Sequence, residues 1–329
     1  MALHATRDID DAIEVTRDFL SPVAVRRWLK LALVVFFVGG GSGFPTSGFN
    51  GIPSDTPSPG PIDVPVEPPE NLLVIVAAVI VVVAIVWLLF ALVGGIMEFV
   101  FVESLRAGDV MIRRYAGRWW RKGLRLFGFR IAISLPLLVL VLLMVGLAFM
   151  PFLAGIGSPF LPLAAVAIFI PLIFVLGIVV GLIQGFTTVF VVPIVMLEGG
   201  GILAGWRRLW PSVKAEWKQY LAYAVISFVL TMVAGLVAAI LLGIVALILL
   251  IPLGLIAFGV STTLSLTSGA GLAIVGVLVL VFVLAMLVLW SLVQVPIQTY
   301  LRYYGLLVLG DIEESFDIVP DRRAAVRDS

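Results

Sequence analysis

Two acidic residues near the end of a long apolar segment are the first candidates for chemistry in this sequence. Glu98 and Glu103 lie at the end of the apolar run 72–102. Ionisable groups at membrane depth often handle protons or cations. At about 1.5 Å per helical residue the run would extend about 46 Å, so we expect both carboxylates at or beyond the membrane interface. There they either pair with nearby arginines or take part in proton or cation handling.

Uncharged polar residues on two other apolar runs form a second candidate site. Gln184 and Thr188 lie in the run 161–197, and Ser291 and Gln294 lie at the end of the run 271–295. Together they could line a polar pocket for a small solute. The same residue types also form hydrogen bonds between packed helices, which is the commoner arrangement in membranes.

The residues that common catalytic sites require are almost all missing. Cysteine is absent and His4 is the only histidine, which argues against thiol catalysis, disulfides and a His/Cys metal cluster. Gly108-Asp109 and Gly310-Asp311 share a Gly-Asp pair with intramembrane aspartyl proteases, but both pairs lie outside the apolar runs. We therefore expect no enzymatic activity, no catalytic residue, no cofactor and no metal site.

These residues belong to an unusually apolar chain. Of its 329 residues, 62% are hydrophobic and 12% are charged, and the mean hydropathy is +1.20. Soluble domains carry about twice that charged fraction, so the composition predicts a membrane protein. A net charge of +1 gives no global basic field for nucleic acid. Five runs are long enough to cross a bilayer as helices: 72–102, 127–153, 161–197, 221–258 and 271–295.

A weaker run, 29–44, contains Lys30 and three consecutive glycines, and the basic residues decide how it is interpreted. Counting it as the first run, all 21 lysines and arginines lie before the first, between the second and third, between the fourth and fifth, or after the last, where Lys30 and Arg130, at the starts of their runs, are counted with the preceding segments. The intervening connections contain none. By the positive-inside rule this pattern predicts six spans with both termini in the cytoplasm. The expected fold is an all-α, polytopic transmembrane bundle in the cell membrane.

The same pattern predicts three regions. Residues 1–30 form a cytoplasmic amphipathic segment, 31–310 form the six-span membrane domain, and 311–329 form a charged, mobile cytoplasmic tail. The external loop 39–71 is rich in Gly and Pro and is expected to be irregular. A flexible linker is favoured there over a ligand-binding lid.

Aromatic and basic residues recur at helical spacing in three of the inner segments. Such segments suit helices that lie among lipid headgroups, and they predict three copies of an interfacial helix followed by a membrane hairpin. Pro211 is expected to divide the third segment into two helices. These residues either anchor the spans or recognise membrane lipids or a membrane protein partner, and the candidates are Arg113, Arg114, Trp119, Trp120, Trp206, Arg207, Arg208, Trp210 and Trp217.

Small residues four apart predict one helix contact. They form one face on the fourth span and one on the fifth, and small residues at this spacing let helix backbones approach closely. We expect the two faces to pack together: Gly177, Gly181 and Gly185 against Gly235, Ala239 and Gly243.

Four segments resemble a known family. Residues 1–5, 27–31, 205–210 and 217–220 are similar to those of an uncharacterised family of haloarchaeal multi-pass membrane proteins. More distantly, the repeated pattern over 9–310 resembles the membrane domain of some glycerophosphoryl diester phosphodiesterases. The resemblance implies an archaeal plasma-membrane location and no activity, because those enzymes carry their catalytic residues in a separate soluble barrel.

The function expected from these features is a non-enzymatic membrane protein that organises lipid or protein partners at the cytoplasmic interface. The alternative is a small transporter or permease-like component with a polar pocket between the fourth and sixth spans.

Overall fold

A computed structural model describes residues 4–40, 71–153, 160–263 and 269–327, and every regular element in these ranges is helical. The predicted external loop 39–71 lies almost entirely outside the described residues, as do residues 154–159 and 264–268. The helices are α1 (His4–Leu20), α2 (Val25–Gly40), α3 (Leu72–Ala107), α4 (Ile112–Leu153), α5 (Phe160–Phe186), α6 (Val192–Glu198), α7 (Ile202–Ala215), α8 (Trp217–Thr263), α9 (Gly269–Ile312) and α10 (Pro320–Arg327). A π-helical turn, Thr187–Val191, joins α5 to α6, and a 3₁₀ turn, Glu314–Phe316, precedes α10.

Five helical segments in the described chain are long and apolar enough to cross a membrane. They are Val74–Ala107, Ile112–Met150, Pro162–Glu198, Trp217–Thr262 and Gly269–Ile312. They cover nearly all of the five long apolar runs of the sequence and indicate an all-α, multi-pass membrane protein. The weaker run corresponds to α2, whose 16 residues are fewer than the roughly 20 that a bilayer requires.

The long helices stand in an open row. Helix α5 packs on α4, α4 on α3, α3 on α2, α2 on α9, and α9 on α8. The two helices at the ends of the row, α5 and α8, approach each other near Phe186 and Tyr220, whose ring centroids lie 6.2 Å apart. In the rest of the described chain α5 and α8 do not pack along one another.

The buried core lies at one end of this row. Its largest members come from α1, the end of α3, the π-helical turn, the start of α8 and the end of α9, and they include Phe19, Phe99, Phe190, Tyr220 and Tyr303. Most basic residues of α2, α4, α7 and α9 lie at the same end, which we call the basic end. Farther along the row the large apolar side chains are mostly exposed, as is typical of side chains that face lipid tails.

The predicted glycine contact between α5 and α8 is not formed. Within the described residues, nothing lies within 4 Å of a Cβ added at Gly177, Gly181, Gly185, Gly235 or Gly243, and Ala239 is exposed. The reason is that the glycines of α5 and α8 lie at different distances along their helices from the point where the two helices meet. Gly181 precedes Phe186 by five residues, about 8 Å of helix, whereas Gly235 follows Tyr220 by 15 residues, about 22 Å.

A different glycine pair brings two helices together. A Cβ added at Gly123 of α4 would lie 2.7 Å from the Cα of Ile96 on α3, and one added at Gly95 would lie 2.9 Å from the carbonyl oxygen of Gly123. Since any larger residue would collide there, these two glycines set the close approach of α3 and α4.

The expected division at Pro211 is wrong. Pro211 lies inside α7, which ends at Ala215, and the amide of the next residue, Glu216, donates to the carbonyl of Ser212 at 2.9 Å. The part of α7 before the proline packs closely against the protein: Leu209 is fully buried, and Gly205 fits so closely that an added Cβ would lie 2.7 Å from Val191.

Candidate functional site

Glu98 lies at the centre of a buried ion cluster that joins four helical segments. Its side chain is 1% exposed, and its Oε2 accepts a hydrogen bond from Arg130 Nη2 on α4 at 3.2 Å. Its Oε1 accepts one from Arg302 Nη2 on α9. Both arginines also bind Thr188 in the π-helical turn: Arg130 donates to its Oγ1 at 2.7 Å and Arg302 to its main-chain oxygen at 2.6 Å. We call these four residues the ion cluster.

The carbonyl of Thr188 needs Arg302 because the main chain leaves it without a donor. In a π-helical turn each carbonyl accepts from the amide five residues later, and Val192 N–H accordingly donates to Thr187. The matching donor for Thr188 would be residue 193, which is a proline without an N–H. A buried carbonyl without a donor costs about 1–3 kcal/mol, and Arg302 supplies that donor.

The ion cluster lies inside the span helices and carries an excess positive charge. Arg130 follows Trp120 by ten residues, about 15 Å along α4. Arg302 is 5% exposed and Arg130 16%, so two largely buried guanidinium groups share one carboxylate. The ring of Phe101, 5.8 Å from Arg302 Cζ, adds a cation–π contact. Both oxygens of Glu98 are engaged, and the arrangement clamps α3, α4, the π-helical turn and α9 together.

Arginine pairing therefore accounts for both acidic candidates. Glu103 pairs with Arg118 at 3.4 Å, and Glu98 pairs within the ion cluster. The prediction that these carboxylates bind nearby arginines is confirmed.

The structure does not join the four residues of the predicted polar pocket through one set of hydrogen bonds. Gln184 donates to Ser134 of α4 at 2.8 Å, one turn from the contact between Arg130 and Thr188. Ser291 instead donates to the carbonyl of Leu287 on its own helix at 2.8 Å, and Gln294 is half-buried on α9. Gln184 and Thr188 thus belong to the polar contacts that α4 makes with α5 and with the π-helical turn.

Three exposed tryptophans at the basic end each carry a cation over the ring. Trp120 is 47% exposed with Arg121 Cζ 5.4 Å from its ring centroid, Trp210 is 51% exposed with Lys214 Nζ at 5.5 Å, and Trp217 is 55% exposed with Lys218 Nζ at 5.9 Å. We call them the Trp–cation pairs. A large apolar ring beside a positive charge is typical of the boundary between lipid tails and headgroups.

Two predicted interface tryptophans face the protein instead. Trp119 is buried and stacks on Phe99 with ring centroids 5.9 Å apart. Trp206 is half-buried, and its Nε1 donates to Thr187 Oγ1 at 2.9 Å. Helical spacing explains the difference, because Trp119 and Trp206 lie on the faces of α4 and α7 that pack against α3 and the π-helical turn. Arg208 pairs with Glu198 at 2.9 Å.

Most of the exposed cations of α4, α7 and α8 lack carboxylate partners, Arg118 and Arg208 being the exceptions. In the described residues of α4, α7 and α8, seven exposed basic side chains have no carboxylate oxygen within 4 Å: Arg113, Arg114, Arg121, Arg125, Arg207, Lys214 and Lys218. We call them the free basic surface. It contrasts with the arginines of α9 and α10, which are paired. Across the part of the chain that the structure describes, no group of three or more acidic or histidine residues could hold a metal ion.

A family profile described as "Family of unknown function (DUF7544)" matches residues 3–319. The chain belongs to this family. No curated protein and no solved structure matches it.

Sequence reasoning about this DUF7544 protein missed Arg302 and Arg130. The distribution of basic residues groups both with the cytoplasmic ones, because Arg130 lies at the start of the run 127–153 and Arg302 lies beyond the run 271–295. One local signal was present: Pro193 stands five residues after Thr188 near the end of a span helix and removes a main-chain donor. That signal predicts a carbonyl in need of a partner but does not identify the side chain that provides one.

Proposed function

We propose that this DUF7544 protein is a non-enzymatic integral membrane protein that binds and organises anionic lipid headgroups with the free basic surface. The three Trp–cation pairs are the observation that carries the proposal. In each pair the exposed ring is suited to burial among acyl chains. The positive charge beside it has no carboxylate partner in the described chain, and the phosphate group of a lipid can take that place. An interaction with a membrane protein partner is the competing reading of the same surface.

The proposed topology has six spans with both termini in the cytoplasm. The distribution of basic residues supports it, and so does the position of α2 beside α3. Lys30 Nζ donates to the carbonyl of Val110 at 3.1 Å, and Arg27 Nη2 donates to that of Gly108 at 3.3 Å. The start of α2 therefore lies next to the end of α3, as expected for an antiparallel pair of which α2 is the first span.

A threefold internal repeat and an archaeal cell-membrane location complete the proposal. The repeat rests on the similar aromatic and basic segments that precede α2, begin α4 and lead into α8. The location rests on the resemblance to haloarchaeal multi-pass proteins.

The lipid proposal is tested in nanodiscs that contain equal amounts of anionic and zwitterionic phospholipid. Native mass spectrometry would count the lipids that remain bound to the full-length protein. We expect anionic lipid to be enriched on the wild type and the enrichment to fall severalfold in Arg207→Gln/Lys214→Gln, because each basic residue near an anionic surface contributes about 1 kcal/mol. The matched control Arg7→Gln/Arg17→Gln makes the same charge change on exposed residues of α1. An unchanged lipid ratio in the α7 variant would reject lipid binding by this surface.

The second candidate function is transport, and the ion cluster is the observation that favours it. Ionisable groups at this depth often lie on substrate pathways, and the contact between Ser134 and Gln184 extends the polar residues one turn farther along α4 and α5. Flux of small ions into proteoliposomes that depends on Glu98 would support it. Equal flux in empty liposomes and in those with protein would reject it.

A further inference from the structure

The ion cluster has more hydrogen-bond donors than acceptors. Arg130 donates through Nη2 alone, to Glu98 Oε2 at 3.2 Å and to Thr188 Oγ1 at 2.7 Å. Its Nε is enclosed by protein and has no acceptor among the described residues, and its Nη1 donates to none of them either. A guanidinium group has five N–H donors and accepts no hydrogen bond, so one edge of Arg130 is uncommitted in the described chain.

The hydroxyl group of Thr188 provides a further donor beside Arg130. Because arginine can only donate, the contact with Arg130 uses a lone pair of Thr188 Oγ1 and leaves the hydroxyl hydrogen over. In the part of the chain that the structure describes, this hydrogen has no acceptor. The neighbouring Thr187 differs, since its hydroxyl group donates to the carbonyl of Ile183 at 2.6 Å.

The charges of the ion cluster do not balance. Both guanidinium groups stay positively charged in proteins, and among the described residues Glu98 is the one carboxylate within 4 Å of Arg130 or Arg302. Both oxygens of that carboxylate already accept hydrogen bonds. A largely buried charge without a counter-charge is costly. One added anion would bring the net charge to zero and accept from the uncommitted donors.

The guanidinium group of Arg130 extends towards the basic end. Helices α3 and α4 cross where Gly95 and Gly123 meet. Glu98 lies about 4.5 Å nearer the basic end than this crossing, and the main chain of Arg130 lies about 10.5 Å farther from it. The contact between Arg130 and Glu98 therefore requires the long side chain to reach back, as arginines do when they approach lipid headgroups. Since 16% of the side chain is exposed, a small ligand can reach it.

Uncharged polar groups continue the site along α4 and α5. Ser134 follows Arg130 by four residues and Gln184 precedes Thr188 by four, so both lie one helical turn from the ion cluster. They are half-buried, and Gln184 Nε2 donates to Ser134 Oγ at 2.8 Å. An anion beside Arg130 would thus have polar neighbours on both helices.

We propose that the ion cluster is a binding site for an oxyanion of the phosphate type, held by the uncommitted N–H groups of Arg130 and the hydroxyl group of Thr188. Guanidinium groups form strong, charge-assisted hydrogen bonds with phosphate oxygens. The phosphate is either a free ion or part of a lipid headgroup. The site goes beyond the lipid surface proposed above, because it lies inside the bundle and shares no residue with the free basic surface.

Thermal unfolding of the full-length protein in an uncharged detergent tests the site. A ligand that binds the folded state raises the unfolding midpoint as its concentration increases. We expect inorganic phosphate to raise the midpoint of the wild type more than that of Arg130→Gln, which leaves Glu98 and Arg302 as a balanced pair. Because phosphate also stabilises proteins by its exclusion from their surface, the difference between the two proteins is the quantity to measure.

A short-chain phosphatidylglycerol distinguishes a lipid headgroup from a free ion. If the headgroup is the ligand, this lipid raises the wild-type midpoint relative to that of Arg130→Gln, whereas inorganic phosphate does not. If the free ion is the ligand, inorganic phosphate is sufficient. Short-chain phosphatidylcholine, which has no net charge, should not separate the two proteins.

Arg207→Gln is the matched control, since it removes an exposed arginine of the free basic surface. It should keep the full wild-type response, so this site and the surface can be tested separately. Glu98→Gln increases the excess charge and should respond at severalfold lower phosphate concentration. Should Arg130→Gln not fold, Arg130→Lys, which keeps the charge with fewer donors, should need a severalfold higher concentration. The site is overturned if neither phosphate nor phosphatidylglycerol raises the wild-type midpoint, or if the Arg130 variants respond as the wild type does.

Discussion

Arg302 donates a hydrogen bond of 2.6 Å to the main-chain carbonyl of Thr188, the carbonyl that Pro193 leaves without a main-chain donor. The two residues are far apart in sequence and lie on neighbouring segments of the basic end. The same guanidinium group binds Glu98. A local irregularity in one span is thus stabilised by a charged side chain from another, and that charge is in turn neutralised by a third helix.

Arg302→Ala should destabilise the protein by about 3 kcal/mol, because it leaves the Thr188 carbonyl without a donor and removes one partner of a buried carboxylate. Chemical unfolding in a mild detergent would measure the loss. Arg207→Ala, which removes an exposed arginine, should change stability by less than about 0.5 kcal/mol. Equal effects of the two variants would contradict the role of the ion cluster.

Pro193→Ala should reduce the cost of Arg302→Ala. Alanine restores an N–H that the Thr188 carbonyl can use in the π-helical register, so the arginine becomes less necessary. A double-mutant cycle should show a coupling free energy of about 1 kcal/mol between the two positions. Strictly additive effects would show that Pro193 does not create the need for Arg302.

Glu98→Gln should cost about 3–5 kcal/mol, since it leaves two largely buried guanidinium groups without a counter-charge. Glu198→Gln makes the same change in the exposed pair with Arg208 and should cost less than about 1 kcal/mol. Thermal unfolding of both variants in the same detergent provides the comparison. A stable Glu98→Gln protein would mean that another group neutralises the arginines.

Much of the helical architecture was predictable from the sequence, because lipid exposure imposes long apolar runs that hydropathy detects. The run beginning at residue 72 coincides with the start of α3. Packing was less predictable. Gly177 and Gly235 belong to sets of three small residues four apart but lie at different depths, whereas neither Gly95 nor Gly123, which make the real close approach, belongs to such a set of three.

The C-terminal segment shows why local composition misleads. Residues 311–329 are charged and were expected to form a mobile tail, since few of them are apolar. In the structure Arg322, Arg323 and Arg327 dock α10 through partners that lie far away in the sequence. Charge composition does not reveal such long-range pairing.

Gly123→Ala should destabilise the protein by about 1–3 kcal/mol, because the new methyl group would overlap Ile96. Gly128→Ala, five residues along the same helix, meets nothing within 4 Å in the described structure. It should be neutral or slightly stabilising, since alanine favours helix over glycine. Unfolding midpoints of the two variants would separate these effects, and a tolerated Gly123→Ala would argue against close packing of α3 and α4.

The adjacent residues Trp119 and Trp120 should have separable roles. Trp119→Ala removes a buried ring and should cost about 3–5 kcal/mol of stability. Trp120→Ala removes an exposed ring and should leave stability nearly unchanged while lowering the retention of anionic lipid in nanodiscs. If Trp120→Ala lowered stability and Trp119→Ala lowered lipid retention instead, the face of α4 that meets the lipid would be the opposite of the one proposed.

The most direct test of lipid binding is an electron cryomicroscopy structure of the full chain in nanodiscs that contain anionic phospholipid. The proposal predicts ordered phosphate density within hydrogen-bonding distance of Arg207, Lys214 and Lys218, with the rings of Trp210 and Trp217 beside the acyl chains. A basic surface that lies outside the headgroup layer, or a water-filled passage that reaches Gln184, would contradict it.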